Sequence, residues 1–359
     1  MVGCRSLKPR IMVRIHVPQF FCRIKYMKQI FDVLIISLVM FLLLKGSDFL
    51  MTSAVSIAEK FKLSKLVIAS TLVAIGTGLP SIAVNITYIL MGVGYHDAII
   101  GSAIGTNFLN IGIGLGIPAI ILPLKVKYEV FKKEIPLFLA ICMLLGVFLI
   151  DDVITRIEGL ILLLMYALTL YIIYQYAKRE RPKESDEEEI DLNTSTISHT
   201  PIIKYESNVK IIARLAFGFA LLIGSAVSIV YMTPILSRDF GVSQYILGAT
   251  IVAVGPSIPM IFTSIRSALK GYTDIVVGNV FGGTIANIAL GIGLVTVINP
   301  LTVSNEAISD VYFFAIVVAI MLSILLPEGK PLGRSNIFNR VSGIIIVVLY
   351  FVYLLSKFL

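Results

Sequence analysis

Two stretches decide how this chain is read. The first is Gly76-Thr77-Gly78-Leu79-Pro80-Ser81, followed by Gly105-Thr106-Asn107-Phe108-Leu109-Asn110. The second is Gly255-Pro256-Ser257-Ile258-Pro259-Met260, followed by Gly282-Gly283-Thr284-Ile285-Ala286-Asn287. Each sets Gly, Pro, hydroxyl and amide residues inside apolar runs of membrane-spanning length. Broken backbone of this kind is tolerated at bilayer depth only where it is buried in protein or lines a cavity. Two such segments at matching positions of two halves point to a transporter-type site near the membrane midplane.

The composition around them agrees. Hydrophobic residues make up 57% of the 359, charged residues only 14%, and mean hydropathy is +0.93. Soluble domains carry about 25% charged residues, so the repeated apolar runs of roughly 20 residues read as transmembrane helices. Cys4, Cys22 and Cys142 supply neither a disulfide framework nor a metal-ligand spacing. The net charge of +8 lies mostly in short loops, which is how topology determinants are distributed, and gives no reason to expect a nucleic-acid partner. No phosphate-binding Gly-rich loop, Walker motif or catalytic triad stands out, so neither a nucleotide-driven pump nor an enzyme is expected.

Ten spans are expected, at about 29–58, 65–91, 97–122, 134–151, 157–177, 209–237, 243–269, 273–298, 307–326 and 338–358. Residues 1–28 form a basic, acid-free N-terminal segment without the pattern of a signal peptide; Met27, just ahead of the first span, suggests that much of it reflects start-site choice. Residues 29–177 make a first repeat of five spans and 209–359 a second. Between them, 178–208 is a linker with Glu184, Asp186, Glu187, Glu188, Glu189 and Asp191, then a Ser/Thr-rich run, a composition unable to bury a core. Gly46-Ser47 recurs as Gly224-Ser225, Pro80 as Pro259, Asp97 as Asp274, Gly101 as Gly278, Gly105 as Gly282 and Asn110 as Asn287. An odd number of spans per half turns the copies upside down relative to each other. The fold expected is therefore an all-α polytopic membrane protein built from two inverted five-helix repeats. Lys and Arg concentrate in the loops after odd-numbered spans, which places the linker in the cytoplasm of a multi-pass cell-membrane protein.

A Pro inside a helix removes one backbone hydrogen bond and releases a carbonyl. Carbonyls and nearby hydroxyls then become candidate ion ligands. Gly101-x-x-x-Gly105 and Gly278-x-x-x-Gly282 let neighbouring backbones approach closely. Elsewhere, Lys45 and Asp48 are spaced to pair on the first span, with Asp48 as a possible counter-charge; Asp97 and Asp274 read as helix caps, and His96 as a solvated turn residue.

These paired motifs resemble those of the sodium/calcium exchanger family, in which each repeat carries Gly-Thr-Ser-x-Pro-Glu and then Gly-Asn-x-x-Gly-Ser-Asn-x-x-Asn or Asp. The resemblance covers about 30–125 and 207–300. It places the family's ion-ligand positions on Thr77, Gly78, Ser81, Thr106 and Asn110 in the first repeat, and on Pro256, Ser257, Met260, Gly283 and Asn287 in the second. Asn110 and Asn287 retain the amide oxygens best suited to a metal ion. The departures are chemical: Ser81 and Met260 stand where the family has its two glutamates, Pro256 replaces a threonine, and Gly78 and Gly283 each replace a serine.

The resemblance implies secondary-active, alternating-access cation antiport across a lipid bilayer. Small inorganic cations would be the cargo, Na+ first, with Ca2+ or H+ left open, and no bound cofactor is implied. Calcium takes six to eight oxygens, normally including carboxylates. The side-chain oxygens at these positions are all neutral, which favours a monovalent ion. The alternative is a protein that keeps the exchanger fold without transport and acts as a partner or regulatory subunit.

Overall fold

The computed structural model describes residues 16–60, 74–126, 128–179, 207–325 and 336–358. Within them the chain is helical almost throughout. α1 is His16–Lys60, α2 is Ala74–Met91, and a short 3-10 turn at Val93–Tyr95 leads into α3. α3 runs from His96 to Ile121, as His96–Leu109, a π-helical Asn110–Leu115 and Gly116–Ile121. Strand β1 (Leu124–Val126), α4 (Tyr128–Phe148), β2 (Val153–Ile154) and α5 (Arg156–Arg179) complete the first repeat. The second has α6 (Asn208–Phe240) and α7 (Gln244–Leu269, π-helical at Gly248–Val252). α8 follows as Thr273–Ile285, a π-helical Ala286–Ile292 and Gly293–Ile298. Then come β3 (Leu301–Thr302), α9 (Asn305–Leu325), β4 (Asn336–Phe338) and α10 (Arg340–Ser356). The expected spans all fall on helices, although the start of the second and most of the linker lie outside the described residues. The first 28 residues are not a separate segment throughout, because α1 already begins at His16 and its helix runs unbroken through Met27.

Local signals fix the ends. Gly241 caps α6 with φ 68°, the left-handed conformation that glycine adopts without a Cβ penalty. The side chains of Ser243 and Asn339 accept from the backbone amides of Ile246 and Ser342 and so open α7 and α10. Asp97 is not a cap: Tyr95 holds that position without a side-chain bond, and Asp97 lies in the first turn of α3, where a carboxylate still complements the helix dipole. Thr273 begins α8 after Tyr272, so Asp274 is likewise inside its helix.

The helices sort into a buried core and an outer pair. In the most apolar stretch of α3 78% is buried, and of α8 72%; the values for α1 and α6 are 39% and 33%. α1 and α6 therefore present apolar side chains such as Leu34, Phe41, Phe217 and Phe219 outward, as lipid-facing helices do. They run antiparallel. Lys28 near the start of α1 pairs with Asp239 near the end of α6 at 2.8 Å, and a Cβ placed on Gly46 would stand 2.7 Å from the Leu222 amide nitrogen. The glycine facing Gly46 is Gly218. A Cβ on Gly224, the sequence counterpart of Gly46, would meet no described atom within 4 Å.

Across the core each helix of one repeat seats on a helix of the other. Cβ atoms on Gly101 and Gly105 of α3 would overlap the carbonyls of Tyr245 and Ala249 on α7, so the expected close approach is real there. On Gly282 of α8 no neighbour is that close among the described residues. Gly116 of α3 meets Gly343 of α10, and Gly159 of α5 meets Gly293 of α8. Two antiparallel strand pairs finish the frame: Leu124, Lys125 and Val126 with Phe338, Ile337 and Asn336, and Val153 and Ile154 with Thr302 and Leu301.

Candidate functional site

The two broken motifs meet at the centre of this frame. In α2, Pro80 sits inside the helix, and Gly78 and Ser81 are buried beside it. The Ser81 Oγ donates to the Gly78 carbonyl at 3.0 Å. A hydroxyl that gives its proton to a carbonyl turns its lone pairs outward, which is the state a cation ligand needs. Ser257 in α7 does the same, donating to Ala253 O at 2.9 Å. Thr77 lies in α2, but its side chain is outside the described residues. Pro256 is buried and, with Pro259, lies within the helix that continues α7 beyond its π-helical turn.

Two of the π-helical turns carry the closing asparagines of the motifs. Asn110 opens one and Asn287 lies in the second residue of another. Such turns shift the ladder by one residue and recur at functional sites. Both asparagines are buried. Asn287 Nδ2 donates to Ala103 O and to Asn107 Oδ1, both at 2.9 Å, so both amide hydrogens are used across the repeat boundary. Its Oδ1 is left buried without a partner, as is Asn110 Oδ1. Asn107 thus orients Asn287 and presents its oxygen. Sequence reasoning passed over Asn107, because the motif alone does not say which of its two asparagines bonds to a residue in the other repeat. Thr106 Oγ1 is also buried without a partner.

The second repeat is packed more tightly here than the first. A Cβ on Gly283 would overlap Met260 Cε, so the thioether fills the space that a larger residue at 283 would need. At Gly78 the neighbours are further off, with Ile82 Cδ1 at 3.5 Å and Ala286 Cβ at 3.9 Å. The Met260 carbonyl accepts from Asn279 Nδ2 at 3.3 Å, and Asn279 also donates to Ser264 Oγ at 3.1 Å.

Among the described residues no three His, Cys, Asp or Glu are grouped to hold a metal ion. The buried Asp310 of α9 is committed to Lys357 as an ion pair and accepts from Tyr245 Oη at 2.6 Å; neither partner belongs to the motifs. Asp48 is exposed, and Lys45 stands over the Phe41 ring at 5.6 Å. His96 is not a solvated turn residue. It is buried, and its Nδ1 accepts the Thr302 amide at 3.1 Å and lies 2.8 Å from Thr302 Oγ1.

The model of the family described as sodium/calcium exchanger protein matches residues 31–175 and 210–359. The chain belongs to the sodium/calcium exchanger family. Inner membrane protein YrbG of Escherichia coli is 30% identical over 320 residues, covering 89% of this chain and 95% of that one. Sodium/calcium exchanger MaX1 of Methanosarcina acetivorans is 27% identical, covering 90% and 98%. A solved structure of the sodium-calcium exchanger NCX_Mj, soaked with Na+ and Sr2+, superposes with a TM-score of 0.57 at 25% identity over 91% of this chain and 99% of that one. This exchanger-family chain is a multi-pass membrane protein.

Proposed function

We propose that the protein is a secondary cation antiporter working by alternating access, and that its central site takes a monovalent cation rather than calcium. One observation carries this reading: the buried oxygens of Ser81, Thr106, Asn110, Ser257 and Asn287 are all neutral, and Met260 packs on Gly283 where the family pairs a glutamate with a serine. A dipositive ion held by neutral dipoles alone in a low-dielectric interior is strongly disfavoured. Rings of neutral oxygens hold monovalent ions well enough to bind and weakly enough to release them. The fixed amide of Asn287 and the outward lone pairs of Ser81 and Ser257 are oxygens of that kind. Na+ is the first candidate, and inward movement of one ion would be coupled to outward movement of another through exchange at this one site.

The test is flux in proteoliposomes, with radioactive Na+ outside and unlabelled Na+, K+ or a proton gradient inside, and Ca2+ uptake measured in parallel. Counterflow of a monovalent cation, lost in Asn287→Ala while the purified variant keeps its size-exclusion profile, is the expected result. Vigorous Na+-driven Ca2+ uptake by the wild type would overturn the ion assignment. Absence of flux for every cation would leave the exchanger fold without transport.

A further inference from the structure

The first repeat holds a set of buried polar atoms that the central site does not use. Asn85 and Ser102 are fully buried, and neither Asn85 Oδ1 and Nδ2 nor Ser102 Oγ has a partner. Asn85 lies one helical turn beyond Ser81 on α2, and Ser102 one turn before Thr106 on α3. The repeat shows how such a pair is ordinarily satisfied. Asn85 stands five residues after Pro80, as Ser264 does after Pro259; Ser102 follows Gly101, as Asn279 follows Gly278. In the second repeat those two positions are bonded, Asn279 Nδ2 to Ser264 Oγ at 3.1 Å. The first repeat carries the same two residue types exchanged between helices, and no bond.

The hydroxyls of α3 are unusual in a second way. Buried Thr233, Thr250, Ser257, Thr263, Thr284 and Thr296 each donate to the carbonyl four residues back. Ser102 and Thr106 do not, and both oxygens stay unpaired, as does that of buried Ser267 in α7. Ser102, Thr106 and Asn110 recur every fourth residue, so their free oxygens form one stripe along α3. Unpaired buried oxygens are costly, and a stripe of them persists where something else satisfies them.

We propose that Asn85 and Ser102, with Thr106 shared between them and the central ring, form a second small-cation subsite, one helical turn from that ring toward the α2–α3 turn. It takes a monovalent cation of Na+ size through Asn85 Oδ1, Ser102 Oγ and Thr106 Oγ1, with water completing its shell. The subsite rests on the monovalent reading of the central site and extends it: two neutral sites in line let one ion enter as another leaves.

The test uses the purified full-length protein in detergent, with thermal unfolding followed as NaCl replaces choline chloride at constant ionic strength. Wild type is expected to be stabilised by Na+ with a response steeper than first order. The exchange Asn85→Ser with Ser102→Asn recreates the bonded arrangement of Ser264 and Asn279. It is expected to melt higher than wild type in choline and to respond to Na+ with first-order dependence. Ser102→Ala, which keeps the helix and removes one ligand oxygen, is expected to raise the half-saturating Na+ concentration about tenfold, and it decides the matter should the exchange variant not fold. A wild-type Na+ response retained unchanged in either folded variant overturns the subsite, and the buried atoms are then water-filled. If Asn287→Ala alone removes that response, the central site stands and only the subsite falls. No response of the wild type to Na+, K+ or Li+ overturns both.

Discussion

At the scale of single residues, the coupling between Met260 and Gly283 says most about cargo. A methyl group occupies the space above Gly283, so the loss of a carboxylate at 260 and of a hydroxyl at 283 is one event in packing terms. Gly283→Ser is expected to overpack this point and cost about 1–3 kcal/mol of stability, read as a lower melting temperature. Met260→Ala in the same chain should recover most of the loss. The converse experiment restores charge. Ser81→Glu with Met260→Glu should give a protein that binds Ca2+, because two carboxylates supply the counter-charge and the oxygens that ion demands. Without an ion the two repel, so the variant should melt below wild type in chelator and above it in millimolar Ca2+; a Ca2+-independent melting curve would refute the charge argument. The candidate positions were visible as motifs, since Ser81, Asn110, Ser257 and Asn287 stand on the Gly- and Pro-broken stretches of the chain. The role of Asn107 was not, because its partner Asn287 lies in the other repeat, and neither was the linkage of Met260 to Gly283, which the sequence shows only as two separate departures.

At the scale of elements, α7, α9 and α10 are locked by a buried polar knot outside the motifs. Asp310 of α9 meets Lys357 just past α10 and the Tyr245 hydroxyl of α7. The Lys357 ammonium also stands 5.2 Å from the centre of the Tyr353 ring, against which Phe108 of α3 stacks. This knot joins three helices of the second repeat to the helix that carries Thr106 and Asn110. Removing one partner leaves an uncompensated buried charge, so Lys357→Met is expected to cost about 3–5 kcal/mol. The double change Lys357→Met with Asp310→Asn should return much of that, and melting of the single and double variants in detergent gives the comparison. An acid within an apolar span and a lysine two residues from the chain end were visible in the sequence, but nothing in spacing joins them. His96 escaped for the same reason: its partner Thr302 lies in the other repeat, and a polar residue at a turn looks solvated until a strand from elsewhere covers it.

For the whole molecule, the repeat count and the broken helices followed from hydropathy and from Gly and Pro placement, since a bilayer leaves a chain few other choices. Sidedness is a prediction from the distribution of Lys and Arg, with residues 178–208 on the cytoplasmic side and the C-terminus outside. Single cysteines at Ser185 and Leu359, in a background without Cys4, Cys22 and Cys142, should therefore react with a membrane-impermeant maleimide from opposite faces of sealed vesicles. Reaction of both from one face would mean that the number of crossings between them is wrong.

The interlocking of the two repeats has a consequence for how the protein is assembled. β1 of the first repeat pairs with β4 of the second, and β2 with β3, while α1 lies on α6, α3 on α7 and α10, and α5 on α8. Every one of these seams joins residues on opposite sides of the linker. The peptide connection between α5 and α6 is then redundant as a fastener, because the finished molecule is held by its woven contacts. Two separately translated polypeptides, broken between Asp191 and Leu192, should find each other in the membrane and co-purify as a functional pair. Either piece produced by itself has glycine-lined faces with no mate, and the cell's membrane proteases should clear it.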